Sequence, residues 1–297
     1  MRHGILAAAG VYVLWGLLPI YWKTLGAVPA PEIMSHRVVW SLPVVLLLLA
    51  AQGQVRRLSQ TARRPAAWLP FIATASLLSI NWLTYLWANN NGHIIEASLG
   101  YFMNPLVNVL LATLFLRERL RPWQLAAVAL AFTGVCYLTL NYGQLPWIAL
   151  TLAVSFGLYG LIRKVAALGS VEGLTLELTV MFWPTAAFLL YRGWTGAGAF
   201  GRLGATTDLM LMGAGVATAI PLALFAFGAR RVPFTTLGIL QYISPTLQFL
   251  IAVFLYGEAF TWARLVGFSF IWLALAVYTT EGFLARRRQG RAIPLNP

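Results

Sequence analysis

Residues 95–116 read IEASLGYFMNPLVNVLLATLFL, an apolar run broken by one charge, Glu96. A helix rises 1.5 Å per residue, so about 20 such residues cross a hydrocarbon layer roughly 30 Å thick. Ten runs of this kind follow one another: 4–22, 33–51, 68–88, 95–116, 123–141, 146–162, 171–191, 208–228, 234–256 and 262–281. The chain is 60% apolar and 10% charged, where a soluble domain carries about a quarter of its residues charged. An all-α integral membrane protein of ten transmembrane helices is expected, with the lipid bilayer as its main partner. Little chain remains for a water-soluble active site.

The net charge of +13 raises the question of nucleic acid, but orientation in a membrane accounts for it better. With the N-terminus in the cytoplasm, most basic residues fall on one side. They are Arg2, Arg56, Arg57, Arg63, Arg64, Arg117, Arg119, Arg121, Arg163, Lys164, Arg230, Arg231 and the tail cluster from Arg286 to Arg291. Only Lys23, Arg192, Arg202 and Arg264 fall opposite, and Arg37 lies inside a span. Both termini are therefore expected in the cytoplasm, and no nucleic-acid partner is expected. The single cysteine, Cys136, excludes an internal disulfide. The three histidines are scattered without metal-ligand spacing, so neither metal nor cofactor is expected. The first span follows Arg2 like a signal peptide, yet ends in YWK with no small-residue cleavage site, and is read as retained.

Two stretches resemble each other: LGYFMNPLVNVLLATLFLRE at 99–118 and ILQYISPTLQFLIAVFLYGE at 239–258. A slide of 140 residues superposes Pro105 on Pro245 and Glu118 on Glu258. The flanking charges reverse: RERLR follows the first stretch where GEAFT follows the second, and RRVP precedes the second where NNNGH precedes the first. Two inverted five-helix repeats are expected, 1–145 and 146–283, followed by a basic cytoplasmic tail at 284–297. Such repeats characterise secondary transporters, with a solute site at the midplane.

Polar groups in these stretches share a spacing. Tyr101, Asn104 and Asn108 lie at i, i+3 and i+7, as do Gln241, Ser244 and Gln248, so each set forms one helical stripe. Pro105 and Pro245 are expected to kink their helices and release the carbonyls of Tyr101 and Gln241. These groups either line a cavity or bond helix to helix. Asn81 and Tyr85, one turn apart beside Trp82 and Trp87, suit an amphipathic solute. Tyr12 and Trp15 line a pathway or pack against lipid, while Trp68, Trp123, Trp147 and Trp262 read as an interfacial belt. Arg37 and Glu177 correspond under the slide, and are candidates for an ion pair between the halves or for coupling. Glu96, at a helix start beside His93, either carries protons or caps that helix. Glu118 and Glu258 are expected to bond loops or arginines. The small face Ala127/Ala131/Gly134 packs either within the chain or in a homodimer.

EIMSHRVVWS (32–41), the NW at 81–82, WANNNGHIIEASLGYFMNPLVNVLL (87–111) and QYISPTLQFLIAVFLYGE (241–258) resemble the RarD branch of the EamA family, in the drug/metabolite transporter superfamily. The likeness covers nearly the whole chain, with RER at 117–119 replacing the more usual GER. It implies an inverted-repeat carrier of the bacterial inner membrane. It also implies a cavity touching Asn81, Tyr85, Tyr101, Asn104, Asn108, Gln241, Tyr242 and Gln248. The expected function is secondary transport of small metabolites or drugs, amino acids or chloramphenicol-like compounds among them, by alternating access. A membrane-embedded enzyme or a non-transporting scaffold is the alternative. The scarcity of histidine and carboxylate leaves no catalytic residue to name.

Overall fold

The computed structural model describes residues 2–63, 68–116, 121–165, 168–229 and 240–291. Among these residues the chain is entirely helical. The elements are α1 (Arg2–Thr24), α2 (Ala30–Ala51), the short α3 (Val55–Ala62), α4 (Trp68–Asn90), α5 (Ile94–Leu116) and α6 (Pro122–Tyr142). They continue with α7 (Trp147–Val165), α8 (Ser170–Trp194), α9 (Ala205–Ala229), α10 (Ile243–Leu250), a π-helical turn (Ile251–Leu255) and α11 (Trp262–Arg291). The turn at 117–120 with Glu118, and the basic segment at 230–233, lie outside the described residues.

The expectation of ten spans in two inverted repeats is not met. Among the described residues seven helices are long and apolar enough to cross a membrane: Leu6–Thr24, Ala30–Ala51, Trp68–Asn90, Ile94–Phe115, Pro122–Asn141, Val171–Trp194 and Trp262–Gly282. The runs in the sixth and ninth positions give the shorter apolar helices Trp147–Arg163 and Ile243–Leu255, short of the roughly 20 residues of a usual crossing, and the run at 208–228 lies in α9, which is not among the seven. The two stretches that resemble each other also fold differently. Pro105 sits within the continuous helix α5, whereas Pro245 stands in the first turn of α10. At a helix start a missing N–H removes no intrahelical bond, so Pro245 begins a helix rather than kinking one. The Gln241 carbonyl is not released either, since it accepts the Ser244 N–H at 3.3 Å. Apolarity over 20 residues registers burial or lipid contact, and cannot distinguish a full crossing from a shorter buried helix.

Helices from early and late in the chain pack in alternation: α2 against α8 and α9, α5 against α7, α6 against α11, and α1 against α9 and α10. Two apolar cores result. One holds Trp22, Ile33, Leu86, Leu178 and Leu211; the other holds Ile94, Leu99, Ala131, Ala153, Phe268 and Ile271. Small residues set the close approaches. A Cβ on Gly100 would meet the Ala149 carbonyl, and one on Gly215 would collide with the Trp40 backbone. Gly134 faces Gly267 and Phe270 of α11, so the small face on α6 packs within the chain. In a bilayer such contacts carry helix association, because lipid tails are as apolar as leucine.

Polar ties close the ends. The buried Glu32 carboxylate at the start of α2 accepts from Arg192 Nη2 at 3.1 Å and from the Ala199 N–H. Glu172 accepts the Gly169 N–H at the start of α8 and pairs with Arg57 of α3 at 3.3 Å. After the π turn, Gly257 takes φ 64°, a left-handed conformation that glycine adopts without a Cβ penalty. Glu258 then reaches back, and its two carboxylate oxygens accept the Ile94 and Ile95 N–H groups at 2.8 and 2.9 Å. A carboxylate there satisfies two first-turn donors and favours the positive helix end. Glu258→Ala is expected to cost about 1–2 kcal/mol, read as a lower midpoint of thermal unfolding in detergent, with Glu258→Gln intermediate.

Candidate functional site

The helices enclose a cavity of about 410 Å³, within the range of small-molecule sites. Its walls come from both early and late parts of the chain. Tyr12, Trp15 and Leu18 of α1, Arg37, Val45 and Leu48 of α2, and Leu78, Asn81, Trp82 and Tyr85 of α4 form one side. Tyr101 and Asn104 of α5, with Phe156, Tyr159 and Arg163 of α7, form another. Val171 and Leu174 of α8, Thr218 and Ala219 of α9, and Gln241, Ser244, Pro245 and Gln248 around α10 complete it. The lining is mainly apolar and aromatic, and Tyr85 and Tyr101 meet edge to face at 5.7 Å between ring centres.

Arg37 is the most deeply buried cation on this wall, with 6% of its surface exposed. Its Nε donates to Thr218 Oγ1 at 2.7 Å, and Thr218 in turn donates to the Ala214 carbonyl at 2.9 Å. The guanidinium carbon lies 3.8 Å from the centre of the Trp82 ring and 5.3 Å from that of Trp22. Among the described residues no carboxylate pairs with it. A desolvated cation–π contact contributes about 2 kcal/mol, while stripping a charged group of water costs several kcal/mol. The ring and one hydroxyl do not close that gap, so the remaining N–H groups must meet a polar partner in the cavity.

The amides divide into two kinds. Asn81 Nδ2 donates to the Leu152 carbonyl and to Ser155 Oγ, both at 3.0 Å, and so ties α4 to α7. Gln248 Nε2 donates to the Trp15 carbonyl and to Ser244 Oγ, both at 3.2 Å, while its buried Oε1 has no partner. Asn104, also buried, has an unpartnered Oδ1. A buried polar atom left unpaired costs about 1–3 kcal/mol. Both residues line the cavity, so a donor from a solute or from water is a natural partner for them.

Other residues singled out in the sequence sit elsewhere. Asn108 is exposed and outside the cavity; it lies one turn beyond Asn104, about 6 Å further along the axis, near Gly157 of α7. Tyr242 precedes α10 and stacks on Phe102 at 6.5 Å, within the aromatic core. Arg37 and Glu177 have different partners: Glu177, wholly buried, pairs with Arg163 Nε at 3.6 Å and accepts from Tyr159 Oη at 3.3 Å. Glu96 lies 3.3 Å from His93 Nδ1 and 3.4 Å from Arg264 Nη2. Tyr12 and Trp15 are on the cavity wall. Sequence reasoning passed over Phe156, Tyr159, Thr218 and Arg163, the last counted among the basic loop residues. Arg163 folds over Gly173, where a Cβ would collide with its guanidinium, a contact that no local sequence pattern announces. Among the described residues no cluster of three His, Cys, Asp or Glu could hold a metal.

This arrangement has counterparts. Residues 2–140 match the model of the EamA-like transporter family. Protein RarD of Streptomyces exfoliatus is 44% identical over 97% of this chain and 91% of its own. An uncharacterized transporter of Pseudomonas aeruginosa is 44% identical over 97% of each chain. A solved crystal structure shares the fold at a TM-score of 0.61, with 22% identity, over 97% of this chain and 99% of that one. Likeness over nearly the whole length makes this a transporter rather than an enzyme. The chain thus belongs to the EamA-like transporter family, beside the RarD proteins, as a multi-pass protein of the bacterial inner membrane.

Proposed function

We propose that the chain moves small amphipathic metabolites or drugs across the cytoplasmic membrane through the central cavity, exposing it to one side at a time. Amino acids and chloramphenicol-like compounds are the first classes to test. The observation that carries this reading is the cavity of about 410 Å³ whose wall combines aromatic rings, an uncompensated guanidinium and two unpaired amide oxygens. Tyr85, Tyr101, Asn104, Gln241 and Gln248 are assigned to solute contact on this basis, while Asn81 lines the cavity but serves to hold α4 to α7. For coupling we favour Glu177 over Glu96, because the partners of Glu177, Tyr159 and Arg163, both reach the cavity.

A vesicle-based uptake screen across metabolites and amphenicols tests the reading. At least one class should accumulate in everted vesicles and move in proteoliposomes of the purified protein; absence of flux for all of them, in folded protein, contradicts it. With a transported solute in hand, Asn104→Leu and Gln248→Leu should each lower transport about tenfold, the value of one hydrogen bond to solute. The thermal midpoint of Asn104→Leu should stay close to that of the parent, while Gln248→Leu should also lower it by losing the bonds to Trp15 and Ser244. Asn81→Leu should instead destabilise the fold, since it leaves the Ser155 hydroxyl and the Leu152 carbonyl without their partner. Glu177→Gln should flatten the pH dependence of uphill transport. Full pH dependence in a Glu177→Gln, Glu96→Gln double variant would rule out proton coupling through either.

A further inference from the structure

The cavity wall carries two guanidinium groups and, among the described residues, no carboxylate. One of the two, Arg163, is paired with the wholly buried Glu177 behind the wall. That leaves the site with one net positive charge, at Arg37. The other partners of Arg37 are neutral: the Thr218 hydroxyl on Nε, and the faces of Trp82 and Trp22. Thr218 fixes the guanidinium through Nε, and among the described residues no hydrogen bond to another protein group engages either terminal nitrogen. A guanidinium with its two terminal nitrogens side by side matches the two oxygens of a carboxylate.

We propose that Arg37 anchors the carboxylate of the transported solute, so that the cavity selects monoanionic organic acids with an aromatic or branched apolar body. The inference rests on the reading of the cavity as the solute site and names the chemistry that site prefers. One anion neutralises the one uncompensated cation, whereas a zwitterion leaves the site charged and a dianion overcompensates it in an apolar enclosure. The rings of Trp15, Tyr85 and Tyr101 suit the body of the acid. The unpaired oxygens of Asn104 and Gln248 can accept a hydroxyl or N–H on that body. No acidic side chain on the described wall offers a partner to an ammonium group.

An isosteric series tests this with the full chain in detergent, by quenching of tryptophan fluorescence. The probes are 3-phenyllactate, phenylalanine, phenyllactamide, phenylalaninol and phenyl phosphate. Phenyllactate should bind about tenfold tighter than the amide and tighter than phenylalanine, with phenylalaninol and phenyl phosphate weaker still. Arg37→Gln should abolish the difference between acid and amide, and Arg37→Lys should restore part of it. Should Arg37→Gln fail to fold, Thr218→Val should weaken the acid selectively by loosening the guanidinium. Equal binding of acid and amide, preference for the amine, zwitterion or phosphate, unchanged selectivity in the variants, or binding of no probe would each overturn the proposal. Flux of neutral or cationic solutes with none of acids would sink the anchor and leave the transporter reading standing. Binding of the acids without flux of any solute would do the reverse.

Discussion

A guanidinium held inside a membrane-spanning bundle organises the centre of this molecule. Arg37 is on α2, its hydroxyl partner Thr218 is on α9, and its ring partners Trp82 and Trp22 are on α4 and α1. A charge at such depth is tolerated only where water, protein dipoles or a ligand surround it. Four helices from distant parts of the chain therefore converge on one side chain, and the space they leave beside it is the cavity. Ser41 donates to the Gly215 carbonyl at 3.3 Å one turn further along the same α2–α9 contact, where the missing Cβ of Gly215 lets the backbones approach.

Around that centre, identical chemistry serves two ends. Asn81 spends its donors on α7 and holds the wall in place. Asn104 lies on α5, which packs against α7 across the missing side chain of Gly100, yet its own oxygen is left unsatisfied. The difference lies in what each amide faces, not in residue type. Gln248 does both, fixing α10 to α1 through its nitrogen while its oxygen remains unsatisfied. A wall held by one set of polar groups and lined by another can change its contacts with a solute without losing its own shape.

Much of this was legible in the sequence, and the misses have physical causes. Long apolar runs with belts of tryptophan locate the seven spanning helices, and Trp68, Trp147 and Trp262 each open a helix. The same signal also covers the shorter helices at 147–163 and 243–255 and the run at 208–228 in α9, because an apolar composition is shared by buried helices and full crossings. The i, i+3 spacing brings Tyr101 and Asn104 to the cavity, but Asn108, at i+7, is exposed outside it. Tyr242, which came from the family resemblance and not from the stripe, stacks on Phe102 instead of lining the cavity. Arg163 was invisible as a wall residue: nothing local in its sequence says that a basic helix end folds back over Gly173 onto a buried carboxylate.

The most direct test of the account asks whether the cavity is a route for solute. Ala219 is fully buried in the bundle and lines the cavity, and the only cysteine, Cys136, lies on α6. In a Cys136→Ala, Ala219→Cys chain reconstituted in vesicles, the rate of labelling by a small membrane-impermeant thiol reagent can be followed from each face. The account predicts labelling through the cavity that slows when a transported solute saturates the site. A thiol at this position that stays unlabelled from both faces, or whose labelling ignores saturating solute, would contradict it.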